Sequence, residues 1–378
     1  MLEKKLLRQI DYLLIFVVMA IIVYGMVIIG SAKHVTGAQS GAFGFVEKQF
    51  IAAVLGFSVA ALLLTFDYED YKRFTKPLYI FNLLILGVVL VAGKAAGGAQ
   101  SWLTLGGFGQ VQPSEFSKII MIICFAHYLS NRQGKMHKLK ELVLAFVFIG
   151  IPLLLILAQP DLGTALVFIA MMFGMLYVAG ARSLHLIAVI LVGALVAGGA
   201  LWAHFELGMK IPLEDYQIKR LTIFIDPYQD SRGAGYHVIQ SQIAIGSGGV
   251  LGKGLFKGTQ NQLNFLPEQH TDFIFSVVGE ELGFVGAAVL LTLFLILLFR
   301  GLRIAMQAKD MFGTLMATGF VSVLAFHILE NVGMTVSIMP ITGIPLPFFS
   351  YGGSALLANL IGIGILSNIH MRRQKLMF

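Results

Sequence analysis

Charge is scarce in this chain: only 12% of its 378 residues are Asp, Glu, Lys or Arg, about half the ~25% of a soluble domain. So few charges cannot keep a surface of this size in water, which excludes an ordinary soluble enzyme. Cysteine is almost missing too. Cys124 stands alone, so neither an internal disulfide nor a multi-cysteine metal site can form. Nucleotide and hydrolase motifs are lacking as well. The glycine-rich run Gly246–Gly254 has no G-x-x-x-x-G-K-[ST] register, because Lys253 is followed by Gly254. No H-E-x-x-H motif, Cys/His ligand spacing or G-x-S-x-G elbow occurs either. Any chemistry must therefore be driven by an ion gradient or by an already activated substrate.

What the chain has in abundance is apolar residues, 57% of the total, with a mean hydropathy of +0.83. Apolar runs long enough to cross a ~30 Å hydrocarbon core recur from end to end. Backbone groups in lipid must be satisfied within each segment, so the spans are helical. The sequence predicts an all-α polytopic membrane protein, one transmembrane domain over residues 1–378. Ten spans are expected, at 12–31, 50–66, 77–93, 114–130, 141–158, 162–181, 184–204, 272–299, 312–336 and 350–370. The first exceeds a signal h-region and lacks an A-x-A cleavage site, so it reads as retained. Basic clusters such as Lys72, Arg73 and Lys76, or Arg132, Lys135, Lys138 and Lys140, all fall on one side. By the positive-inside rule that side is cytoplasmic, with both termini there. The formal net charge of +7 then reports orientation rather than nucleic-acid binding. Two external segments interrupt the pattern: the Gly-rich stretch Lys94–Pro113, carrying Trp102, and the long loop 205–271. A connection of that length is usually functional or disordered, and its Ile, Phe, Leu and Tyr content favours function.

Ionisable residues at membrane depth are costly and therefore informative. Glu115 and Lys118, at i,i+3, share a helix face; they either stabilise a helix end or belong to a site. Asp161, after Pro160, can cap the next span through Gly163 or Thr164 and still serve a second role. Glu268, His270 and Asp272 crowd the boundary where the long loop meets the eighth span. Asp272 reads either as the N-cap of a helix starting at Phe273 or as part of a site assembled there. Glu280 and Glu281 lie deeper and must face partners or a wet cavity. His327 and Glu330, again i,i+3, read as a buried structural pair.

Several runs together resemble the shape, elongation, division and sporulation (SEDS) family. They are Gln112-Pro113-Ser114-Glu115, Gln159-Pro160-Asp161-Leu162-Gly163-Thr164, Gly246-Ser247-Gly248-Gly249, Phe265-Leu266-Pro267-Glu268-Gln269-His270-Thr271-Asp272-Phe273 and Gly343-Ile344-Pro345-Leu346-Pro347-Phe348-Phe349-Ser350-Tyr351-Gly352-Gly353. Asp226-Pro227, Gly252-Lys253-Gly254 and Gly258-Thr259-Gln260 agree. Thr342, where the division type tends to carry Lys, and the short termini are similar to the elongation (RodA) type.

The resemblance implies a peptidoglycan glycosyltransferase of the bacterial cytoplasmic membrane. Its substrates would be lipid II and the growing glycan strand, and its partner a class B penicillin-binding protein. The family's essential acid maps to Asp272, and its pocket residues to Glu115, Lys118, Asp161, Trp102 and Lys253, with His270 beside the acid. The pyrophosphate leaving group needs positive charge from Lys253, Lys257 or Arg220. No cofactor is expected, although a divalent cation is a candidate helper. One departure stands out: the family usually has Arg just before the loop tryptophan, where this chain has Ser101, so another base such as Lys94 must substitute. A lipid II flippase and a scaffold for a catalytic partner are the competing readings. A flippase needs a polar path through the midplane, which only Glu280 and Glu281 suggest.

Overall fold

The computed structural model describes residues 9–34, 41–96, 99–104, 110–211, 214–230, 233–263, 265, 266 and 268–373. Ten long helices dominate: α1 (Tyr12–Ala32), α2 (Ala42–Leu63), α3 (Tyr71–Ala92), α4 (Pro113–Ser130), α5 (Leu139–Leu157), α6 (Leu162–Val178), α7 (Ser183–Leu207), α11 (Ile274–Gln307), α12 (Met311–Thr335) and α13 (Gly353–Met371). Each expected span coincides with one of them. Eight helices are long and apolar enough to cross a membrane on that basis alone. The other two are α6, 17 residues long, and α4, whose opening carries Glu115 and Lys118.

Aspartates begin several of these helices by accepting otherwise orphaned amides. Asp11 accepts from the Leu14 amide at 3.1 Å, Asp161 from Thr164 at 2.9 Å and Asp310 from Gly313 at 2.9 Å. Where boundaries differ from the sequence reading, polar residues are the reason. α2 starts at Ala42 rather than 50, because Glu47 and Lys48 point outward while the helix continues past them. α3 starts at Tyr71, with Pro77 inside it. α11 runs on to Gln307, and Arg300 on it pairs with buried Asp11 at the start of α1.

The most enclosed spans are α12 and α13: α12 packs against α4, α6, α11 and α13, and α13 lies along α2. Small residues allow the close approaches typical of membrane bundles. Gly25 meets the backbone of Phe349, and Gly364 meets Ala60. By contrast, α7 buries only Leu186.

The two interrupting segments are both ordered into elements. Lys94–Pro113, read from sequence as a Gly-rich loop, contains a three-stranded antiparallel sheet of β1 (Lys94–Ala96), β2 (Ala99–Thr104) and β3 (Gln110–Val111). Lys94 lies opposite Trp102, and Leu103 opposite Val111. The long loop folds into α8 (Asp215–Ile225), α9 (Ala234–Gly248) and the single turn α10 (Thr259–Gln262), with α9 packed on α11.

The glycine-rich run acts as a backbone partner. α11 breaks at Gly283, whose φ is 63°, leaving carbonyls and amides around the break without helical partners. Lys253 and Gly254 donate their amides to the carbonyls of Glu280 and Glu281, at 3.0 and 2.9 Å. In return, Phe284 and Val285 donate to the carbonyls of Gly249 and Val250, at 2.9 and 3.1 Å. Only glycine permits this approach: a Cβ on Gly252, at φ 77°, would lie 2.2 Å from the Glu281 carbonyl oxygen. We therefore expect Gly252→Ala to destabilise the protein by at least the ~1–3 kcal/mol of a strained non-glycine residue. Gly246→Ala on α9, with nothing within 4 Å of its Cβ, should be neutral or stabilising. Heat-denaturation midpoints in detergent would separate the two.

Candidate active site

A polar cleft of about 340 Å³ opens where the sheet, α8, the turn before α11 and the loop before α13 converge. Ser101 and Trp102 come from β2, and Pro160 and Asp161 from the start of α6. Tyr216 and Arg220 come from α8, Glu268, Thr271 and Asp272 from the turn, and Thr342, Gly343, Pro345 and Tyr351 from the loop. Residues separated by most of the chain thus share one wall-to-wall space.

Asp272 is the carboxylate at the centre of this arrangement. It does not cap α11: that helix starts at Ile274, its N-cap position is Phe273, and no side chain bonds there. Of the two readings of Asp272, the N-cap one is the reading that fails, and the carboxyl is left to face the cleft. Gly343, at φ 75°, brings the opposing loop so near that a Cβ on it would lie 3.2 Å from Asp272 Oδ2. Burial pushes the Asp272 carboxyl up to about 6, the Glu268 charge adds to this, and Arg220 and the Thr271 hydroxyl oppose it. A carboxyl held there is mostly ionised at neutral pH and yet basic enough to take a proton.

Arg220 supplies the positive charge. Tyr216 and Arg220 are four residues apart on α8 and so share a face. The guanidinium lies 5.4 Å from the Tyr216 ring centroid and donates to the Thr342 carbonyl at 2.9 Å. The Tyr216 hydroxyl in turn donates to the Pro160 carbonyl, fixing α8 to the start of α6. An arginine carries five donors, so the bond to Thr342 leaves others for an anionic ligand.

Of the residues singled out from sequence, Trp102, Asp161 and Asp272 line the cleft. Asp161 does cap α6, and its second oxygen accepts from the Thr164 hydroxyl at 2.8 Å. Burial raises its carboxyl above the ordinary range, against the pull of the Thr164 bonds and the Lys118 charge. Glu115 and Lys118 form a buried ion pair at 2.8 Å, near enough to Asp161 for both charges to act on it. Lys118 also meets His327 Nε2 at 3.0 Å. His327 turns to Lys118 and Glu330 to Thr342, so the expected pairing of His327 with Glu330 gives way to bonds between helices and loop.

His270 sits behind the cleft wall, packed on Phe45 and Tyr351. Burial and the nearby Lys33 push its imidazole down to about 4, so it is neutral at pH 7. Lys253 pairs with Glu280 at 2.7 Å and bonds Thr259, away from the cleft lining. Lys257 is exposed and Arg220 alone of the three candidate bases lines the cleft. The side chain of Lys94 and residue Pro267 lie outside what the structure describes. Gln112 and Tyr351, which stand in two of the runs quoted above, also line the cleft, as do Tyr216 and Ser354, which no sequence signal marks because only the fold gathers them. Among the described residues no group of three or more His, Cys, Asp or Glu could hold a metal ion.

A polytopic helical membrane protein with a polar cleft roofed by a folded loop is the class that this architecture defines. The family model described as cell cycle protein, covering FtsW, RodA and SpoVE, matches residues 11–375, and the chain belongs to that family. It is 40% identical over 369 residues to peptidoglycan glycosyltransferase MrdB of Escherichia coli K12, covering 97% of this chain and 95% of that one. It is 36% identical over 364 residues to stage V sporulation protein E of Bacillus subtilis, covering 95% and 96%. Among solved structures it resembles a chain from a peptidoglycan synthase complex that coordinates polymerisation and crosslinking, with a TM-score of 0.79, 35% identity and coverage of 96% and 97%. The rod shape determining protein RodA of Thermus thermophilus gives 0.68, 31%, 97% and 98%.

Because Glu268 raises the Asp272 carboxyl and Arg220 lowers it, the two charges can be tested separately. Glu268→Gln should move the Asp272 titration to lower pH, and Arg220→Gln to higher pH. Infrared titration of the carboxyl band, with Asp272→Asn as the blank, reads both shifts.

Proposed function

We infer that this protein is a peptidoglycan glycosyltransferase of the elongation type, polymerising lipid II into glycan strands for rod-shape maintenance. The observation that carries the mechanism is Asp272, half-buried, raised to about 6 and set beside Arg220 in a cleft lined by both polar and apolar groups. Asp272 is the general base: it takes the proton of the acceptor sugar's 4-hydroxyl, and that oxygen attacks the anomeric carbon of the lipid-linked strand. The bond from the anomeric carbon to pyrophosphate breaks, and undecaprenyl pyrophosphate departs. This activated bond supplies the driving force, in keeping with the lack of a nucleotide motif. Arg220 offsets the charge on the leaving pyrophosphate, as preorganised donors do where charge develops.

Asp161, Trp102 and the Glu115–Lys118 pair are the substrate-binding residues we propose around this centre. Ser101 lines the cleft and is buried; with a hydroxyl in place of the family's usual Arg, Arg220 becomes the principal cation. His270 supports Tyr351, whose amide donates to the His270 carbonyl at 3.0 Å. Lys253 supports the broken α11. A divalent cation, if used, would take most of its oxygens from the substrate's phosphates, as Mg²⁺ commonly does.

Two features weigh against a flippase. The groups of the cleft gather at one end of the bundle. Glu280 and Glu281, the carboxylates that suggested a midplane path, are occupied by the long loop. Glu280 accepts from Lys253 and from the amides of Gln260 and Asn261, and Glu281 from Ser31, Phe256 and Asn261. The distribution of Lys and Arg supports a cytoplasmic membrane location with both termini inside and the cleft outside. A class B penicillin-binding protein is the partner we propose, by analogy with the synthase complex.

An Asp272→Asn enzyme should fold, insert and lose polymerisation by at least the ~10²–10⁴-fold that a positioned base contributes. Gel analysis of glycan chains made from lipid II in detergent tests this. Full activity in the variant would remove Asp272 from its role.

A further inference from the structure

We propose that Asn331 is a positioning residue that sets the Asp272 carboxyl in the cleft by holding two backbone carbonyls with one amide. The proposal rests on the reading of Asp272 as the base. Asn331 lies on α12 and is fully buried. Its Nδ2 donates to the carbonyl of Asp272 at 2.9 Å and to the carbonyl of Ile344 at 2.8 Å. Carbonyls only accept, so the NH₂ end must face them and the orientation of the side chain is settled by chemistry. Its Oδ1 has no hydrogen-bond partner among the described residues. Among the described residues this side chain is therefore held by its two donor bonds to these carbonyls.

The two carbonyls belong to the two segments that face each other across the carboxylate. Ile344 follows Gly343, the residue packed against Asp272 Oδ2. On its other side, Thr342 is held by Arg220 through its carbonyl and by Glu330 through its hydroxyl. Gly343 is thus pinned from both flanks, with Asn331 on one and Arg220 on the other. The turn carrying Asp272 has further ties, from the Ser350 hydroxyl to the Thr271 carbonyl at 2.7 Å and from the Tyr351 amide to His270. Neither acts at Asp272 itself, which also lacks the cap bond that would have anchored it to α11. The peptide joining Asp272 to Phe273 is held at its N–H by the Glu268 carbonyl, at 3.3 Å, and at its carbonyl by Asn331, the side chain that ties it to α12.

The test uses Asn331→Asp, which keeps the shape but offers at most one donor, and only when protonated. Each enzyme is assayed on lipid II with a class B penicillin-binding protein whose transpeptidase site is inactivated. Displacing a reacting group by an ångström can cost about 100-fold, so kcat should fall on the order of 10- to 100-fold with KM within about twofold. The acid limb of the pH profile is read in Asn331→Ser, which adds no charge beside Asp272: it should move from near 6 toward the ordinary carboxylate value, because a loosened Asp272 is better hydrated. A rate equal to wild type, or a reduced rate with an unmoved limb in Asn331→Ser, overturns the proposal, since loss of folded enzyme lowers amplitude alone. If Asn331→Asp cannot be extracted folded, the rate too is read in Asn331→Ser, which keeps one donor. Asp272→Asn runs alongside. If it is active, the base assignment fails; if it is inactive while Asn331→Asp behaves as wild type, only the positioning role falls.

Discussion

The fold is constrained above all by the cost of an unpaired backbone amide or carbonyl where water is scarce. A continuous helix meets that demand by itself, and most of this chain is continuous helix. The interruption of α11 at Gly283 does not, and the strand-like exchange with Gly249–Gly254 is what makes it tolerable. Four backbone hydrogen bonds between loop and broken helix, with Glu280 and Glu281 gathering side-chain and amide donors from the same loop, fasten the long connection to the bundle. The roof of the cleft therefore starts from a fixed base.

From that anchorage the site is built outward by main-chain recognition. Arg220 grips the carbonyl of Thr342, His327 meets that of Pro345 at 3.2 Å, and Asn331 takes those of Asp272 and Ile344. Side chains rooted in α8 and α12 thus define the course of the loop before α13. The carboxyl of Asp272, which we propose as the base, does not cap a helix, so its environment is set by Glu268 and Arg220 rather than by a helix terminus.

Much of this was legible beforehand. Ten spans followed from apolar runs and basic clusters, because membrane helices are read from local composition. Asp161 and Asp272 could be marked because a carboxylate at a membrane boundary is conspicuous in its own neighbourhood, whereas Trp102 entered the site only through the family resemblance. The rest depended on long-range placement. Lys253 and Arg220 look equivalent in the loop sequence, yet one meets Glu280 and the other the cleft. Asn331 sits in an apolar helix with no signal beyond being polar, and its partners lie 59 and 13 residues away. The sheet in Lys94–Pro113 was hidden because strands of three, six and two residues are too short to show a clear alternation.

The sparse packing of α7 brings the bilayer itself into this picture. Its 25 residues extend roughly 37 Å at 1.5 Å per residue, more than the ~30 Å hydrocarbon thickness. A helix that buries only Leu186 against the rest of the protein offers its other faces to the surroundings, and its uninterrupted apolar stretch, 186–203, is about as long as a bilayer's hydrocarbon core is thick. The segment it delivers is the one that leads into α8 and Arg220. The cation of the cleft is therefore a near neighbour in sequence of the least enclosed helix, while in space it is held from the opposite side of the chain by the Thr342 carbonyl.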